Sequence, residues 1–225
     1  MKIKWGALVV DGRGKLGGHV AAKNKSGNYL RTKVTPTNPN TMYQSAVRAL
    51  FGAISQAWSG LSDSARLGWN AAVDQWQRTD IFGDLKNPSG KALFQRLNNQ
   101  AQIAGYPAVT TVPDRLDMPI LNFGTPVISV GGETVEIATG GGIAGATILV
   151  FATPPLSAGT TFVKDQLRLI EHHTSNVEPD AQLFQAYADK FGTPEIGNNI
   201  YFALKVVLPN GQASPLQTFK AEVSA

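Results

Sequence analysis

The sequence predicts an α+β protein in which an N-terminal β-ribbon and a small helical unit precede an immunoglobulin/fibronectin-III-like antiparallel β-sandwich. Short apolar-alternating runs separated by Gly-containing turns fill residues 1–34, which is typical of hairpins. Apolar residues then recur every three to four positions over residues 41–105, as they do in amphipathic helices. Short alternating runs return over residues 120–225, and this pattern is typical of small antiparallel sandwiches.

The first 34 residues are predicted to form a three-stranded basic β-ribbon, which we call the N-terminal ribbon (residues 1–34). Its strands are "KIKWGALVV", "LGGHVAAK" and "YLRTKV", joined by the turns "DGRGK" and "NKSGN". Basic residues recur in pairs at i and i+2, and such pairs lie on one face of an extended chain. We therefore predict a docking surface for an anionic partner, with Trp5 and Tyr29 as hydrophobic anchors. Its basic members are Lys2, Lys4, Arg13, Lys15, Lys23, Lys25, Arg31 and Lys33.

Three helices are predicted in residues 41–105, which we call the helical unit. They follow the Pro-containing breaker "TPTNPNT" and run over about 41–58, 62–77 and 89–104. Ser62 and Ser89 are the expected N-caps of the second and third helices. The apolar stripe of the first helix consists of Tyr43, Val47, Leu50, Ile54 and Trp58. We interpret Trp58, Trp69 and Trp76 as the core of a helical hairpin, because they fall on apolar stripes.

Residues 106–119, the connecting segment, contain three prolines and no helical period, which predicts an extended linker. Residues 120–225 form the predicted C-terminal domain, with a short helix inserted near 179–191. The pair Asn210-Gly211 between its last two strands is a strong hairpin signal. The ending "IYFALKVVLPNGQASPLQTFKAEV" resembles the last hairpin of fibronectin-III-like modules. The predicted strands are Val127–Val130, Thr134–Ala138, Thr147–Ala152, Gln166–His173, Ile200–Leu208 and Leu216–Val223.

Charge is distributed unevenly along the 225 residues, although the net charge is only +4. Residues 1–33 carry +7, residues 34–105 carry +2 and residues 106–225 carry −5. A positive head and a negative tail predict different partners for the two ends, or head-to-tail contact between copies. The absence of cysteine excludes disulfides, thiolate metal sites and cysteine nucleophiles. No run approaches the roughly 20 apolar residues of a membrane span, so no membrane partner is expected.

The glycine-rich stretch "GRGKLGG" invites comparison with a phosphate-binding loop. A P-loop requires Ser or Thr after its lysine and a helix after the loop. Here Leu16 follows Lys15, and the chain continues into another turn rather than a helix. The segment Gly12–Gly17 matches G-x-G-x-x-G, but no βαβ unit surrounds it. We therefore interpret the glycines as turn and close-approach positions and expect no nucleotide cofactor.

No set of residues in the sequence predicts catalysis or a metal site. The candidates for acid–base or metal chemistry are His19, Glu171, His172 and His173. Adjacent histidines on a strand point to opposite faces, so His172 and His173 are poorly placed to bind one ion. The two aspartates of "TDIFGD" are better explained as turn residues, and no G-x-S-x-G motif occurs. A non-enzymatic protein without a cofactor or metal is expected.

Nucleic-acid binding is the alternative reading of the N-terminal ribbon, because a one-sided basic strand set can contact phosphates. Among the basic residues of the ribbon, the aromatic residues are Trp5 and Tyr29. The predicted first helix carries Arg48 without a second basic residue. Sequence-specific binding is therefore not expected, whereas non-specific phosphate contact stays open. A carbohydrate-binding role for the C-terminal domain is disfavoured, because its aromatic residues are scattered along the sequence.

Three stretches together resemble virion structural proteins of tailed phages that infect Bacteroidales, the crAss-like group. They are "GKLGGHVAAKNKSGNYLRTKVTPTNPNT", "QSAVRALFGAISQAWSGLSDSARLGWNAAV" and "RTDIFGDLKNPSGKALFQRLN". The resemblance covers residues 12–105 and is specifically to auxiliary capsid proteins that decorate the head. It implies no catalytic residues. It implies a protein of the phage head, assembled in the host bacterial cytoplasm.

A non-enzymatic auxiliary capsid protein is thus the expected function, with attachment to the head shell through the N-terminal part. The expected partners are the major capsid protein or other virion proteins, and further copies of the chain itself. Such an attachment suits a Gly-rich ribbon, because a strand edge can add to a neighbouring sheet. An isolated ribbon of this size is marginally stable in water, so a partner surface is expected to order it.

Overall fold

The computed structural model confirms a mixed α+β protein, with four α-helices and several antiparallel sheets among the residues it describes. None of the helices in those residues is long and apolar enough to cross a membrane. The described residues are 1–4, 6, 11–35, 37–118, 122–137, 139–140, 145–157, 159–173 and 177–224.

The N-terminal ribbon contains three antiparallel strands that pair in sequence order. The first residues of the chain extend this sheet beyond its third strand. Ile3 donates a backbone hydrogen bond to Asn28, and the amide of Leu30 donates to the carbonyl of Met1. Residues 7–10 of the predicted first strand lie outside the described residues. The strands are β1 (Gly14–Leu16), β2 (His19–Asn24) and β3 (Gly27–Thr32).

The first hairpin turn differs from the prediction. Lys15, placed in the turn "DGRGK", belongs to β1, and the chain reverses at Gly17 and Gly18, between the paired residues Leu16 and His19. Gly17 has φ of 54°, a left-handed conformation that glycine adopts at little steric cost. The second turn is where the sequence predicted it, because Asn24 pairs with Gly27 across two residues.

The helical unit contains the three predicted helices, and its second helix is shorter than expected. Helix α2 ends at Ala71 and continues as a 3-10 turn over Ala72–Trp76, a common way for a helix to end. Ser62 and Ser89 each accept a hydrogen bond from the backbone N–H three residues on, which confirms the two predicted caps, and Thr41 caps α1 in the same way. The helices are α1 (Met42–Gly60), α2 (Asp63–Ala71) and α3 (Gly90–Ile103).

Aromatic rings occupy the core of the helical unit, as the sequence predicted. Trp69 is fully buried and Trp76 is 4% exposed, while Trp58 packs against this cluster from its edge. The ring of Phe94 meets Trp69 edge-on at 5.2 Å. A short hairpin that the sequence did not predict, β4 (Arg78–Thr79) with β5 (Leu85–Lys86), separates the 3-10 turn from α3.

The connecting segment is extended and hydrogen-bonded along its length. The buried side-chain amide of Asn98 donates to the carbonyl of Val109 at 3.0 Å and accepts from its N–H at 2.7 Å. The indole of Trp69 donates to the carbonyl of Thr110. Further along, the Gln212 side chain accepts from the N–H of Leu116 at 2.9 Å. The segment therefore adheres to both the helical unit and the C-terminal domain.

The C-terminal domain holds seven strands in the order β11-β10-β13-β14-β7-β8-β12. A separate two-stranded pair joins β6 (Asn122–Phe123) to β9 (Thr139–Gly140). The inserted helix is α4 (Ala181–Phe191), within one or two residues of its predicted bounds. The seven strands are β7 (Val127–Ser129), β8 (Thr134–Ile137), β10 (Thr147–Ala152), β11 (Arg168–His173), β12 (Val177–Asp180), β13 (Asn199–Val207) and β14 (Gln217–Ser224).

Strand β14 connects two parts of this strand set. Its residues 217–222 pair antiparallel with β13, whereas Val223 and Ser224 pair in parallel with β7. One hydrophobic cluster draws residues from β7, β8, β10, β13, β14 and α4. Tyr187 of α4 is buried in it and donates to the carbonyl of Thr153, and this burial raises the pKa of its phenol.

A third cluster joins the helical unit to the C-terminal domain. Ala104, just after α3, packs with Leu149 of β10 and Val207 of β13, and all three are buried. The hydroxyl of Tyr106 donates to the carbonyl of Gly145 at 2.6 Å. The two regions therefore share a hydrophobic boundary, and they do not depend on the connecting segment alone.

Candidate functional site

The register of the N-terminal ribbon brings two predicted contact residues onto one face. Lys15 of β1 lies opposite Val20 of β2, and Val20 lies opposite Arg31 of β3. Paired residues in antiparallel strands point to the same side of the sheet. Lys15 and Arg31 therefore flank Val20 on one face, and both side chains are exposed.

Tyr29 shares that face and is half-buried. It pairs with Ala22 on one side and forms an isolated bridge with Lys2 on the other. Lys23 lies on the opposite face, because it pairs with Asn28, the neighbour of Tyr29. Trp5, the second predicted anchor, lies outside the described residues.

Several predicted contact residues interact within the chain itself. Lys4 lies 2.9 Å from the carboxylate of Asp84, and Lys2 lies 3.8 Å from that of Asp80. Both aspartates belong to the loop between β4 and β5. The Lys4 ammonium also lies 5.4 Å from the centre of the Phe82 ring. These contacts direct one edge of the N-terminal ribbon towards the helical unit.

Three more of the predicted cations have partners inside the molecule. Lys25 donates to the backbone carbonyl of Pro88 at 3.4 Å, which adds a contact to the same hairpin region. Arg13 and Lys23 lie 3.5 and 3.8 Å from the carboxylate of Asp11. These groups are largely solvent-exposed, so such pairs contribute little individually.

Asp80 is the best-enclosed acid of this contact, with a side chain that is 4% exposed. Its carboxylate accepts hydrogen bonds from the backbone N–H groups of Phe82 and Asp84, the turn role that the sequence predicted. Burial by itself raises the pKa of this carboxyl. The two backbone hydrogen bonds and the charges of Lys2 and Lys86 outweigh that effect, so the pKa lies below its ordinary value of 3.8.

Lys15, Arg31 and Lys33 form no ion pair with any described residue. All three are exposed. The backbone of Lys33 continues the sheet by donating to the carbonyl of Gly18 at 2.8 Å. These three side chains are therefore the part of the predicted basic surface that is available to an outside partner.

The first half of α1 exposes an apolar stripe beside the breaker that follows the N-terminal ribbon. Tyr43, Val47 and Phe51 are four residues apart and are 64%, 47% and 56% exposed. The helix reaches the core from Leu50 onward, where Ile54 is buried and Leu50 and Trp58 pack against the same cluster. Tyr43 and Val47 of the predicted stripe are therefore exposed, as is Phe51 beside it.

The residues considered for metal or acid–base chemistry do not converge. His19 is exposed on β2. His172 and His173 lie next to each other on β11, opposite Leu149 and Ile148. In the described part of the chain, no group of three or more His, Asp or Glu residues could hold a metal ion.

Sequence reasoning missed a group of cations at the boundary between the helical unit and the C-terminal domain. Arg78, Arg96, Arg115 and Lys205 line one cavity. They come from β4, α3, the connecting segment and β13, so no local spacing could have grouped them. Comparisons with protein-family models, with curated proteins and with solved structures find no match to this chain.

Proposed function

We propose that this chain is a non-enzymatic structural protein of a phage virion. In this proposal it is an auxiliary capsid protein that binds and decorates or reinforces the head shell through its N-terminal part. One observation carries the proposal: no described residue before Ile54 is buried, whereas three hydrophobic clusters organise the chain from there on. A segment without a core of its own needs another surface for stable order.

The exposed stripe on α1 supports a protein partner. Tyr43, Val47 and Phe51 offer an apolar ridge of the kind that packs into a groove or against another helix. Arg48, the only charged residue of the helix, donates to the side chains of Asn38 and Asn40. A helical half with so little charge and so much exposed apolar surface gains free energy when a partner covers it.

The available cations of the N-terminal ribbon define the charge of that partner. Lys15, Arg31 and Lys33 favour an acidic protein surface, such as one on the major capsid protein or another virion protein. Further copies of this chain fit the same description, because residues 106–225 carry a net −5. Many copies on a lattice turn modest single contacts into stable attachment. In this proposal the protein belongs to the phage head and is assembled in the host bacterial cytoplasm.

The proposal includes an immunoglobulin/fibronectin-III-like sandwich for the C-terminal domain. Its support is the strand order, in which β14 leaves its antiparallel partner β13 and ends in parallel with β7. A strand that changes partner along its length can turn the corner between the two layers of a β-sandwich. In the virion this domain would project from the shell or bridge neighbouring copies.

Nucleic-acid binding is the alternative, and the same three available cations favour it. The discriminating property is the salt dependence of binding to DNA. A steep linear fall of log affinity with log salt, which indicates the release of several counterions, favours nucleic acid. Absence of DNA binding at low salt, together with co-sedimentation on head particles, favours the shell.

The proposed attachment predicts that removing residues 1–34 abolishes incorporation into heads while the rest of the chain stays folded.

Two smaller changes locate the contact: Lys15→Glu with Arg31→Glu on the ribbon, and Val47→Asp with Phe51→Asp on α1. Each pair should reduce co-sedimentation with heads that lack the protein. Lys164→Glu with Lys220→Glu is the matched control, because these exposed lysines lie in the C-terminal domain. Full decoration by the truncated protein would refute the proposal.

A further inference from the structure

A cavity of about 230 Å³ lies where the helical unit, the connecting segment and the C-terminal domain meet. Its walls carry four cationic side chains: Arg78 of β4, Arg96 of α3, Arg115 of the connecting segment and Lys205 of β13. No Asp or Glu is among the described residues that line it. Four positive charges in one cavity without a carboxylate are a source of mutual repulsion.

These cations show the effects of crowding and burial. None of the four forms an ion pair with a described residue. Burial, followed by the charges of Arg78 and Arg115, lowers the pKa of Arg96 to about 10. Burial and the charge of Arg78 also lower the pKa of Lys205. The Arg96 guanidinium lies 5.5 Å from the centre of the Trp76 ring, which supports it within the wall.

Several hydrogen-bond donors around this cavity have no acceptor in the described chain. Lys205 donates to the Gln100 side chain at 2.8 Å, and Arg115 donates to a backbone carbonyl at 2.7 Å. The guanidinium groups of Arg78 and Arg96 donate no hydrogen bond to any described residue, although each carries five N–H donors. The indole N–H of Trp76, in the same wall, is buried without an acceptor in the described chain. Buried donors of this kind are normally satisfied in folded proteins.

We propose that this cavity binds a multivalent phosphate-type oxyanion. Such an anion supplies the negative charge that the described lining residues lack, and acceptors for the donors that have none. The fork of a guanidinium matches the paired oxygens of a phosphoryl group. The cavity is smaller than the roughly 300–1,000 Å³ typical of drug-sized ligands. It therefore suits a small anion or the phosphoryl group of a larger molecule.

A bound anion would connect two regions of the fold. Arg78 and Arg96 belong to the helical unit, whereas Lys205 belongs to the C-terminal domain. An oxyanion between them replaces repulsion across this boundary with attraction on both sides. Ligand binding to the folded state alone raises the apparent stability, so the melting temperature should rise with anion concentration. This inference does not rest on a role in the virion.

Calorimetric titration of the full chain with inorganic pyrophosphate at low ionic strength tests the site. We expect saturable binding that Arg96→Gln with Lys205→Gln weakens about tenfold or more, because charge-assisted hydrogen bonds are lost. Arg31→Gln with Lys33→Gln removes the same charge from the N-terminal ribbon and should leave affinity unchanged. Arg78→Gln alters an exposed side chain and should weaken binding by itself, which covers the case in which the double variant fails to fold.

Competition identifies the source of the anion. A short single-stranded oligonucleotide is added with and without a 5′-phosphate. If both forms displace pyrophosphate, the ligand is a phosphodiester. If only the phosphorylated form does, the ligand is a terminal phosphate. If neither does, the ligand is a small free oxyanion. Absence of saturable pyrophosphate binding would overturn the proposal. An equal loss of affinity in the ribbon control would overturn it as well.

Discussion

Gly211 shows how one residue fits two regions of this protein together. It has φ of 78°, a conformation that side chains other than glycine rarely adopt. A methyl group added at this position would lie 2.9 Å from the Leu97 Cα and closer still to the Leu97 carbonyl. The turn after β13 therefore approaches the backbone of α3 to a distance that only glycine permits.

Gly211→Ala should destabilise the fold by about 2 kcal/mol or more, since it combines backbone strain with overpacking. Gly197→Ala is the matched control, because Gly197 has φ of 85° and a methyl group added there would meet no atom within 4 Å. Comparing the free energies of urea unfolding of both variants separates the clash with the Leu97 backbone from the strain of a positive φ. An equal loss of unfolding free energy in the two variants would show that the close approach to α3 contributes nothing.

At the scale of elements, the N-terminal ribbon and the β4–β5 hairpin depend on each other. The ribbon has no buried described residue, and its lysines reach the two aspartates of the hairpin loop. The pKa of Asp80 lies below 3.8 in the folded protein. A carboxyl with a lowered pKa contributes stability above its unfolded pKa and loses it as pH falls through the folded value.

Acidification from pH 5 to pH 2 covers the range below 3.8 in which Asp80 gains its proton, and it should therefore loosen the ribbon from the hairpin. Amide-exchange protection factors of β1–β3, which normalise for the intrinsic effect of pH, measure this change. We expect wild-type protection to fall, whereas Asp80→Asn should be less protected at neutral pH and change less. Asp63→Asn is the control, because that carboxylate is 94% exposed. Wild-type protection that stays constant down to pH 2 would contradict the assigned role of Asp80.

At the scale of the whole molecule, the cluster of Ala104, Leu149 and Val207 makes the helical unit and the C-terminal domain neighbours in one packed body. Deleting a buried leucine side chain costs about 2–5 kcal/mol. Removing the Leu149 side chain at this boundary should weaken the coupling between the two regions and lower the total free energy of unfolding.

Leu149→Ala should separate a single unfolding transition into two. No tryptophan follows residue 76, so tryptophan fluorescence reports chiefly on the helical unit, whereas circular dichroism at strand wavelengths reports on the C-terminal domain. The two probes should give coincident urea transitions in the wild type and displaced ones in the variant. Ile196→Ala, at a side chain that is 66% exposed, should leave them coincident. Separate wild-type transitions would exclude the coupling.

Features encoded within a few residues of each other were predictable from the sequence. The caps at Ser62 and Ser89, the buried tryptophans of the helical unit and the bounds of β10 all follow from short-range spacing. The spacing of the basic residues likewise predicts one-sided pairs within a single strand, such as Arg31 with Lys33, whereas the shared face of Lys15 and Arg31 depends on the strand register. Propensity, periodicity and capping act over one or two turns of chain, so the residues alone carry this information.

Features that join distant parts of the chain emerged only in the folded molecule. Three features depend on how separate elements pack. They are the contact of Lys2 with Asp80, the exposed apolar side chains of Tyr43 and Val47 on α1, and the cavity between Arg78 and Lys205. The same periodicity runs along the whole of α1, yet only the residues from Leu50 onward pack against the core. Local spacing predicts which face of an element is apolar or charged, but the arrangement of the other elements determines what that face meets.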